Sequence, residues 1–408
     1  MSNELMVDYD RLFSEITRRF RASDVRELLK LTEGKRVISF AGGLPDPRVF
    51  PAEELADIAR NVVSELGDKA LQYSPTPGVS IFRERALSFL ERMGLKTSDR
   101  QLLVTTGSQE ALFLTALSTL SPGDVVIMEE PGYLAAINVF KALGARIVPV
   151  PVDDKGLNTG VLAETLDRLD AEGVKPKLVY TNPTCNNPNG TTMPLDRRRE
   201  LLQLASNYDM LVIEDDPYSH IAFEKTGEEV PLQALDSEGR VVYVTTFSKI
   251  LAPGLRLGLT LAPSEVTARI ELLKQIVDLH TSTLDQYIAA EALERGIVDK
   301  VISRAVSIYR RKRDIMIESL EENMSGVATW TKPIGGFFIF LRINGPVDMR
   351  ALMPKAVERG VAYVPGDAFH VTPGAGRNTA RLSYSFNTEE EIPEGISILS
   401  KLVKEVLS

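Results

Sequence analysis

Cysteine, histidine and long apolar runs are scarce in this 408-residue chain. The single cysteine, Cys185, excludes an intrachain disulfide and fits a reducing compartment, so a cytoplasmic protein is expected. Three scattered histidines with one cysteine predict no His/Cys metal centre. No apolar run approaches membrane-spanning length, and acids come early, at Glu4, Asp8 and Asp10, unlike a signal peptide. A basic excess is missing too. Against 47 Lys and Arg stand 56 Asp and Glu, a formal charge of -9, which argues against nucleic acid or an anionic membrane as partner. Two basic runs, Arg197-Arg198-Arg199 and Arg310-Arg311-Lys312-Arg313, lie in helix-like segments, and solvated helix faces account for both. Low-complexity linkers and internal repeats are absent.

The composition, 44% hydrophobic and 25% charged, is that of a globular protein, and the length calls for two lobes. Short apolar runs at Leu102 to Thr105, Val125 to Met128, Ile147 to Val150, Leu178 to Thr181, Leu211 to Glu214 and Val241 to Val244 read as strands. Helical spacing fills several of the gaps, as in Leu201, Leu204, Ala205 and Tyr208 after Pro194. An earlier helix starts at Pro51, with Leu55, Ile58, Val62 and Leu66 on one face. This alternation predicts an α/β domain with a mostly parallel sheet. Beyond about Pro263 long helices run to about Asn323. Strand signals follow at Ala328 to Thr331, Phe337 to Leu341 and Arg381 to Phe386, then a helix carrying Ile396, Leu399, Val403 and Val406. That pattern predicts a second, α+β lobe packed directly on the first.

In open α/β sheets ligands collect at the carboxyl ends of the strands. Val241 to Val244 delivers Thr245-Thr246-Phe247-Ser248-Lys249, with Arg256 close behind a Pro253-Gly254 turn. An amine there can meet a carbonyl, and a fixed cation can meet an anion. A solvated surface residue is the commoner fate of any lysine, so the other strand ends carry the decision. Thr105-Thr106-Gly107-Ser108-Gln109 is strand, glycine turn and helix start, which suits either a simple cap or a phosphate cradle. Glu130-Pro131-Gly132-Tyr133 offers an aromatic that either packs in its loop or lies on a ring ligand. Asn182-Pro183-Thr184-Cys185-Asn186-Asn187-Pro188-Asn189-Gly190 is rich in turn residues. Glu214-Asp215-Asp216-Pro217-Tyr218 sets acids at a buried strand end, where a carboxylate needs a cation or donor.

With Ser39-Phe40-Ala41-Gly42-Gly43-Leu44-Pro45, Leu71-Gln72-Tyr73-Ser74-Pro75 and Arg381-Leu382-Ser383, these segments resemble, in order and over nearly the whole chain, one family. It is the fold-type I pyridoxal-phosphate (PLP) enzymes of the class I/II aminotransferases. The likeness is greatest to the subgroup of 2-aminoadipate, kynurenine and broad-specificity aromatic aminotransferases. The resemblance implies a large domain, 50–295, with a mostly parallel seven-stranded sheet between helices. It also implies a smaller α+β domain, 296–408, and an N-terminal arm or lid, 1–49. Lys249 would hold the cofactor covalently and then shuttle a proton at the substrate Cα. Asp215 would pair with the pyridine nitrogen, Tyr218 and Asn187 with the phenolic oxygen, and Tyr133 would stack on the ring. Gly107, Ser108, Gln109, Ser248 and Arg256 would hold the phosphate, joined by Thr246. Arg381, helped by Asn187, would clamp the substrate α-carboxylate. Tyr73 resembles a tyrosine that reaches the phosphate of a neighbouring subunit, which implies a homodimer with shared active sites.

The usual Pro-x-Phe-x-Asn-Pro-Thr-Gly loop carries Cys185 for Phe and Asn189 for Thr here, and Pro77 stands where an acid is common. These departures bear on loop packing and the interface rather than the reaction. Gly42 and Gly43 would leave room for a bulky side chain. Ser23 and Arg26, in the segment Phe20 to Leu29 that would fold over the site, would face the substrate. There Arg26 either binds an acidic side chain or pairs with a nearby surface acid. The implied activity is ping-pong transfer from an L-amino acid to a 2-oxo acid, 2-oxoglutarate or glyoxylate. Donors would come from glutamate and 2-aminoadipate, aromatic or branched-chain amino acids, or alanine. A β-lyase or decarboxylase would keep Lys249 and Asp215, but Arg381 favours transamination. A PLP-binding regulator domain would need a DNA-binding helical region, for which the acidic N-terminus leaves no space. A cofactor-free relative does not need so full a polar set.

Overall fold

The apolar runs pair side by side. The computed structural model describes residues 7, 9, 11–19, 36–95, 97, 101–224, 226–227 and 229–408. Its large sheet contains β1 (Leu102–Thr105), β2 (Val125–Glu130), β3 (Arg146–Asp153) and β4 (Gly156–Leu157). It continues through β5 (Pro176–Thr181), β6 (Leu211–Asp215), β7 (Val241–Thr246) and β8 (Gly258–Leu261). The spatial order is β1-β8-β7-β6-β5-β2-β3-β4. Pairing is parallel from β7 to β3, and β8 runs against both its neighbours. Two-residue β4 adds a short hairpin pairing to the expected seven strands.

Both faces of this sheet are covered, which is why its strands read as continuous apolar runs. Val126, Met128, Leu178, Tyr180, Ile213, Val242 and Val244 pack with Ala111, Leu112 and Ala116 of helix α1 (Gly107–Thr119). Their alternates Val125, Ile127, Val179, Val212 and Val241 pack on the other face. Their partners there include Leu201 and Ala205 of helix α2 (Leu195–Asn207). The side-chain period of two divides each strand between two cores.

After the long helix α3 (Ile297–Met324) comes a second, antiparallel sheet: β9 (Ala328–Trp330), β10 (Phe338–Ile343), β11 (Val364–Pro365) and β12 (Thr379–Ser383). Its order is β9-β10-β12-β11. The closing helix Glu391–Leu407 buries Ile396, Leu399 and Val403, whereas Val406 of the expected stripe is exposed. Ile38–Ser39 pairs in parallel with Val361–Ala362, and the Ser383 amide donates to the Phe40 carbonyl. The chain segment after Ser39 is thereby held against β12. Among the described residues no helix is long and apolar enough to cross a membrane.

The basic runs correct the expectation of solvated faces. Arg199, Arg310 and Arg311 are exposed, but Arg198 and Lys312 are wholly buried. Lys312 sits 2.5 Å from Asp46 and 2.8 Å from the Ser385 carbonyl. Arg198 donates to the Met193 carbonyl (2.9 Å), the Pro183 carbonyl (3.1 Å) and the Thr184 hydroxyl (2.8 Å). Glu214 lies 3.8 Å from its guanidinium and is the strand-end acid that gains a cation. Helical spacing marks which face a residue is on, not what packs against it. Arg198→Met removes the cation beside Glu214 and the donor to three carbonyls, those of Met193, Pro183 and Val230. It is expected to cost about 3–5 kcal/mol, read as a fall in thermal midpoint. An unchanged midpoint would show that this buried cation is dispensable.

Candidate active site

Residues that follow the carboxyl ends of β1, β2, β5, β6 and β7 converge beside β12. They enclose a cavity of about 410 Å³. Its walls hold Ser108 and Gln109 after β1, Tyr133 after β2, and Asn182 and Asn187 after β5. Asp215, Pro217 and Tyr218 come from the β6 end, and Thr246, Ser248, Lys249 and Arg256 from the β7 end. Gly43, Phe338 and Arg381 close it from the other side.

One end is built for an anion. Helix α1 begins at Gly107 and receives no side-chain cap from Thr106, so its first amides are open to a ligand. Gly107 has a φ of +75°, and a Cβ there would lie 2.7 Å from the Arg256 guanidinium. Gly258 on β8 lies so close to the helix start that a Cβ would come within 2.6 Å of the Ser108 nitrogen. Two glycines thus let helix start, strand and arginine meet. Arg256 itself takes the left-handed conformation, φ 52°, sparsely populated for a residue with a side chain. The Thr246 hydroxyl lies 2.9 Å from that of Ser248 and 3.1 Å from the Leu257 carbonyl.

The middle holds a carboxyl and an amine. Asp215 is buried, with Oδ2 accepting from the Tyr180 hydroxyl at 2.7 Å and Oδ1 without a hydrogen-bond partner. Burial, with the nearby Asp216 and Glu129, pushes its carboxyl up to about 7, although the Tyr180 bond works the other way. Lys249 donates to the Gly43 carbonyl at 3.0 Å, and its nitrogen lies 5.2 Å from the Phe337 ring centre. Burial, then Arg256 and Arg381, pull its ammonium down to about 8. Burial raises the Tyr133 hydroxyl to about 12 and carries that of Tyr218 higher still.

The far end is a buried arginine. Arg381 on β12 donates to Asn187 Oδ1 at 2.8 Å and to the Ala41 carbonyl at 2.7 Å. Its Nε has no partner, and its guanidinium lies 4.1 Å from the Phe338 ring centre and 5.0 Å from that of Phe369. Burial draws its pKa down to about 10, so a carboxylate arriving here would relieve an uncompensated charge.

The sequence motif description of aminotransferase class I and II matches residues 38–399. The chain belongs to this family. This aminotransferase is 45% identical over 402 residues to an uncharacterized aminotransferase of Saccharolobus solfataricus, spanning 98% of this chain and 100% of the relative. It is 43% identical over 401 residues to aromatic-amino-acid aminotransferase 1 of Thermococcus litoralis, spanning 98% and 95%. The solved kynurenine aminotransferase of Pyrococcus horikoshii, in complex with PMP, matches at a TM-score of 0.94 and 42% identity, covering 98% and 99%. The activity is transamination, and the cofactor is pyridoxal 5′-phosphate.

The residues present fit that cofactor. The partnerless Asp215 oxygen suits a protonated ring nitrogen, and the glycine-lined cradle at Gly107 suits a phosphate. Gly43, Ser108, Gln109, Tyr133, Asn187, Asp215, Tyr218, Thr246, Ser248, Lys249, Arg256 and Arg381 all line the one cavity. Gly107 adjoins it through Arg256. Tyr73 lies apart on the surface, 78% exposed, with its ring edge-on to His280. Ser23 and Arg26 fall outside the described residues. Sequence reasoning passed over Asn182, Tyr180 and Phe338. Asn182 donates through Nδ2 to the Asp215 carbonyl and accepts through Oδ1 from the Asn187 amide at 2.9 Å. A polar Asn ending a buried strand, just before Pro183, was the available signal.

Proposed function

We propose that this aminotransferase takes its amino group from bulky, chiefly aromatic L-amino acids and passes it to a 2-oxo acid, as a homodimer in the cytoplasm. One cavity holding Lys249, the partnerless Asp215 oxygen and the Arg381–Asn187 pair carries the reading. When bound, pyridoxal phosphate supplies a reversible amine carrier and an electron sink. Lys249 would hold it covalently, and the same amine would move a proton at the substrate Cα. Asp215 would keep the ring nitrogen protonated, Tyr133 would stack on the ring, and Tyr218 with Asn187 would donate to the phenolic oxygen. Ser108, Gln109, Ser248, Thr246, Arg256 and the Gly107 turn bind the phosphate. Arg381 fixes the α-carboxylate of donor and acceptor alike, which orients the Cα toward Lys249.

The donor class rests on the walls around Arg381. Phe338 is aromatic and lies against the guanidinium, and Gly43 adds no side chain. The relatives named for aromatic amino acids and kynurenine point the same way. The cavity's arginines, Arg256 and Arg381, are taken by the two anion sites. Residues 50–295 form the cofactor lobe and 296–408 the smaller one, with 1–49 as the arm. The dimer reading is supported by large apolar side chains left on the surface: Leu71 at 66%, Tyr73 at 78% and Ile276 at 82% exposure. Tyr73 reaches the partner's phosphate from there.

Visible absorption during the separate half-reactions tests this. Phenylalanine, tyrosine or kynurenine alone should bleach the yellow protein within minutes, and a 2-oxo acid should restore it. Alanine and glutamate should act at least about tenfold more slowly, the usual worth of one or two lost apolar contacts. No bleaching by any L-amino acid would refute transamination through this cavity. Faster bleaching by glutamate would refute the aromatic preference.

A further inference from the structure

Glu129 is the penultimate residue of β2 and is only 1% exposed, yet it does not line the cavity. Burying a carboxyl is costly unless donors or a cation compensate it. Its compensation consists of three donors from one segment. The Thr181 hydroxyl donates to Oε1 at 2.6 Å; the Asn182 amide at 3.0 Å and Asn186 Nδ2 at 2.8 Å donate to Oε2. That segment leads directly into Asn187. Asn182 accepts from the Asn187 amide at 2.9 Å, and Asn187 Oδ1 accepts from Arg381 at 2.8 Å. An unbroken hydrogen-bonded path therefore joins Glu129 to the guanidinium, through residues flanking Asn187 on its N-terminal side. Across the same loop, Arg198 ties the Pro183 and Met193 carbonyls. Arg198 of α2 thus holds both ends of the loop, and Glu129 of β2 holds its Asn-rich turn.

We infer that Glu129 is a positioning residue for substrate carboxylate binding: it holds Asn182 and Asn186, and through them sets Asn187 against Arg381. The inference rests on the proposal that Arg381 and Asn187 receive the α-carboxylate. Both substrates present that group, so disturbing Glu129 acts on donor and 2-oxo acid together. A purely structural carboxyl would instead lower stability and turnover without selecting KM.

Glu129→Leu and Glu129→Gln separate these. Gln keeps an oxygen toward Asn182 and Asn186 and turns its amide to the Thr181 hydroxyl, so it should behave as wild type. Leu should raise KM for donor and acceptor together by about tenfold with kcat within about threefold, the pattern of lost uniform binding. Its crystal structure should show Asn187 Oδ1 beyond hydrogen-bond distance of Arg381. Asn186→Ala, which removes one donor and leaves the carboxyl in place, should raise both KM values in the same direction and serves if the Leu variant does not fold. Unchanged KM values with Asn187 still bonded to Arg381 would overturn the inference. So would a fall in kcat and thermal midpoint with KM unaltered. Arg381→Ala run alongside reads the carboxylate proposal separately: if its KM is normal, that proposal fails, while the position of Asn187 in the Leu variant still decides the role of Glu129.

Discussion

Lys249→Ala is expected to lower turnover by more than about 10⁴-fold, because in the proposed arrangement one side chain supplies both covalent attachment and proton transfer, the latter alone worth about 10²–10⁴-fold. The environment suits both tasks. Burial and the neighbouring Arg256 and Arg381 hold the ammonium near 8, so a useful share is neutral close to physiological pH. The proposed phosphate cradle at Gly107, Ser108 and Arg256 is untouched by the substitution, so the cofactor should still bind without a covalent link. Borohydride reduction followed by mass measurement of the denatured protein reads this directly: wild type retains the cofactor mass and the variant does not. An alanine variant that turns over at the wild-type rate would sink the assignment of Lys249.

Arg381→Ala is expected to lower kcat/KM by about 10²–10³-fold, the equivalent of removing one partner from a buried charged pair. Besides the substrate carboxylate of the proposed arrangement, Asn187 Oδ1 and the Ala41 carbonyl lose their donor. The visible spectrum of the bound cofactor should stay, since Arg381 lies at the opposite end of the cavity from Arg256 in the proposed arrangement. Arg381→Lys should recover little, because a point charge cannot reproduce the planar fork held between Phe338 and Phe369. Steady-state kinetics with one donor and one acceptor check this, and unchanged affinity for both would refute the clamp.

Much of the site was legible because its residues are local to strand ends. Ser108, Tyr133, Asn187, Asp215 and Lys249 each follow a run whose apolar, β-branched character predicts a buried strand, and each stands in the cavity the sheet creates. Arg381 was legible only through family resemblance, since its strand lies in the other sheet and its contacts are to Asn187, 194 positions away, and Ala41, 340 positions away. Tyr180 looked like any apolar-strand aromatic. Alternation predicts that it shares a face with Leu178, but not that its hydroxyl meets Asp215, 35 positions on. Arg198 and Lys312 were misjudged for the same reason. Their spacing is that of ordinary helix residues, while their burial depends on Glu214, Asp46 and backbone carbonyls brought by distant segments.

The sequence by itself determined the alternation of strands and helices, the burial of both sheet faces and the polar residues at the strand ends. Those follow from short-range periodicity and turn chemistry, which act over a few residues. Tertiary structure alone decided which charges lie inside and how the two sheets meet. It brought the Arg381 guanidinium to Asn187 and left one Asp215 oxygen without a partner. Desolvation and hydrogen-bond geometry depend on what the fold places across a gap of a few ångströms, and no local pattern encodes that.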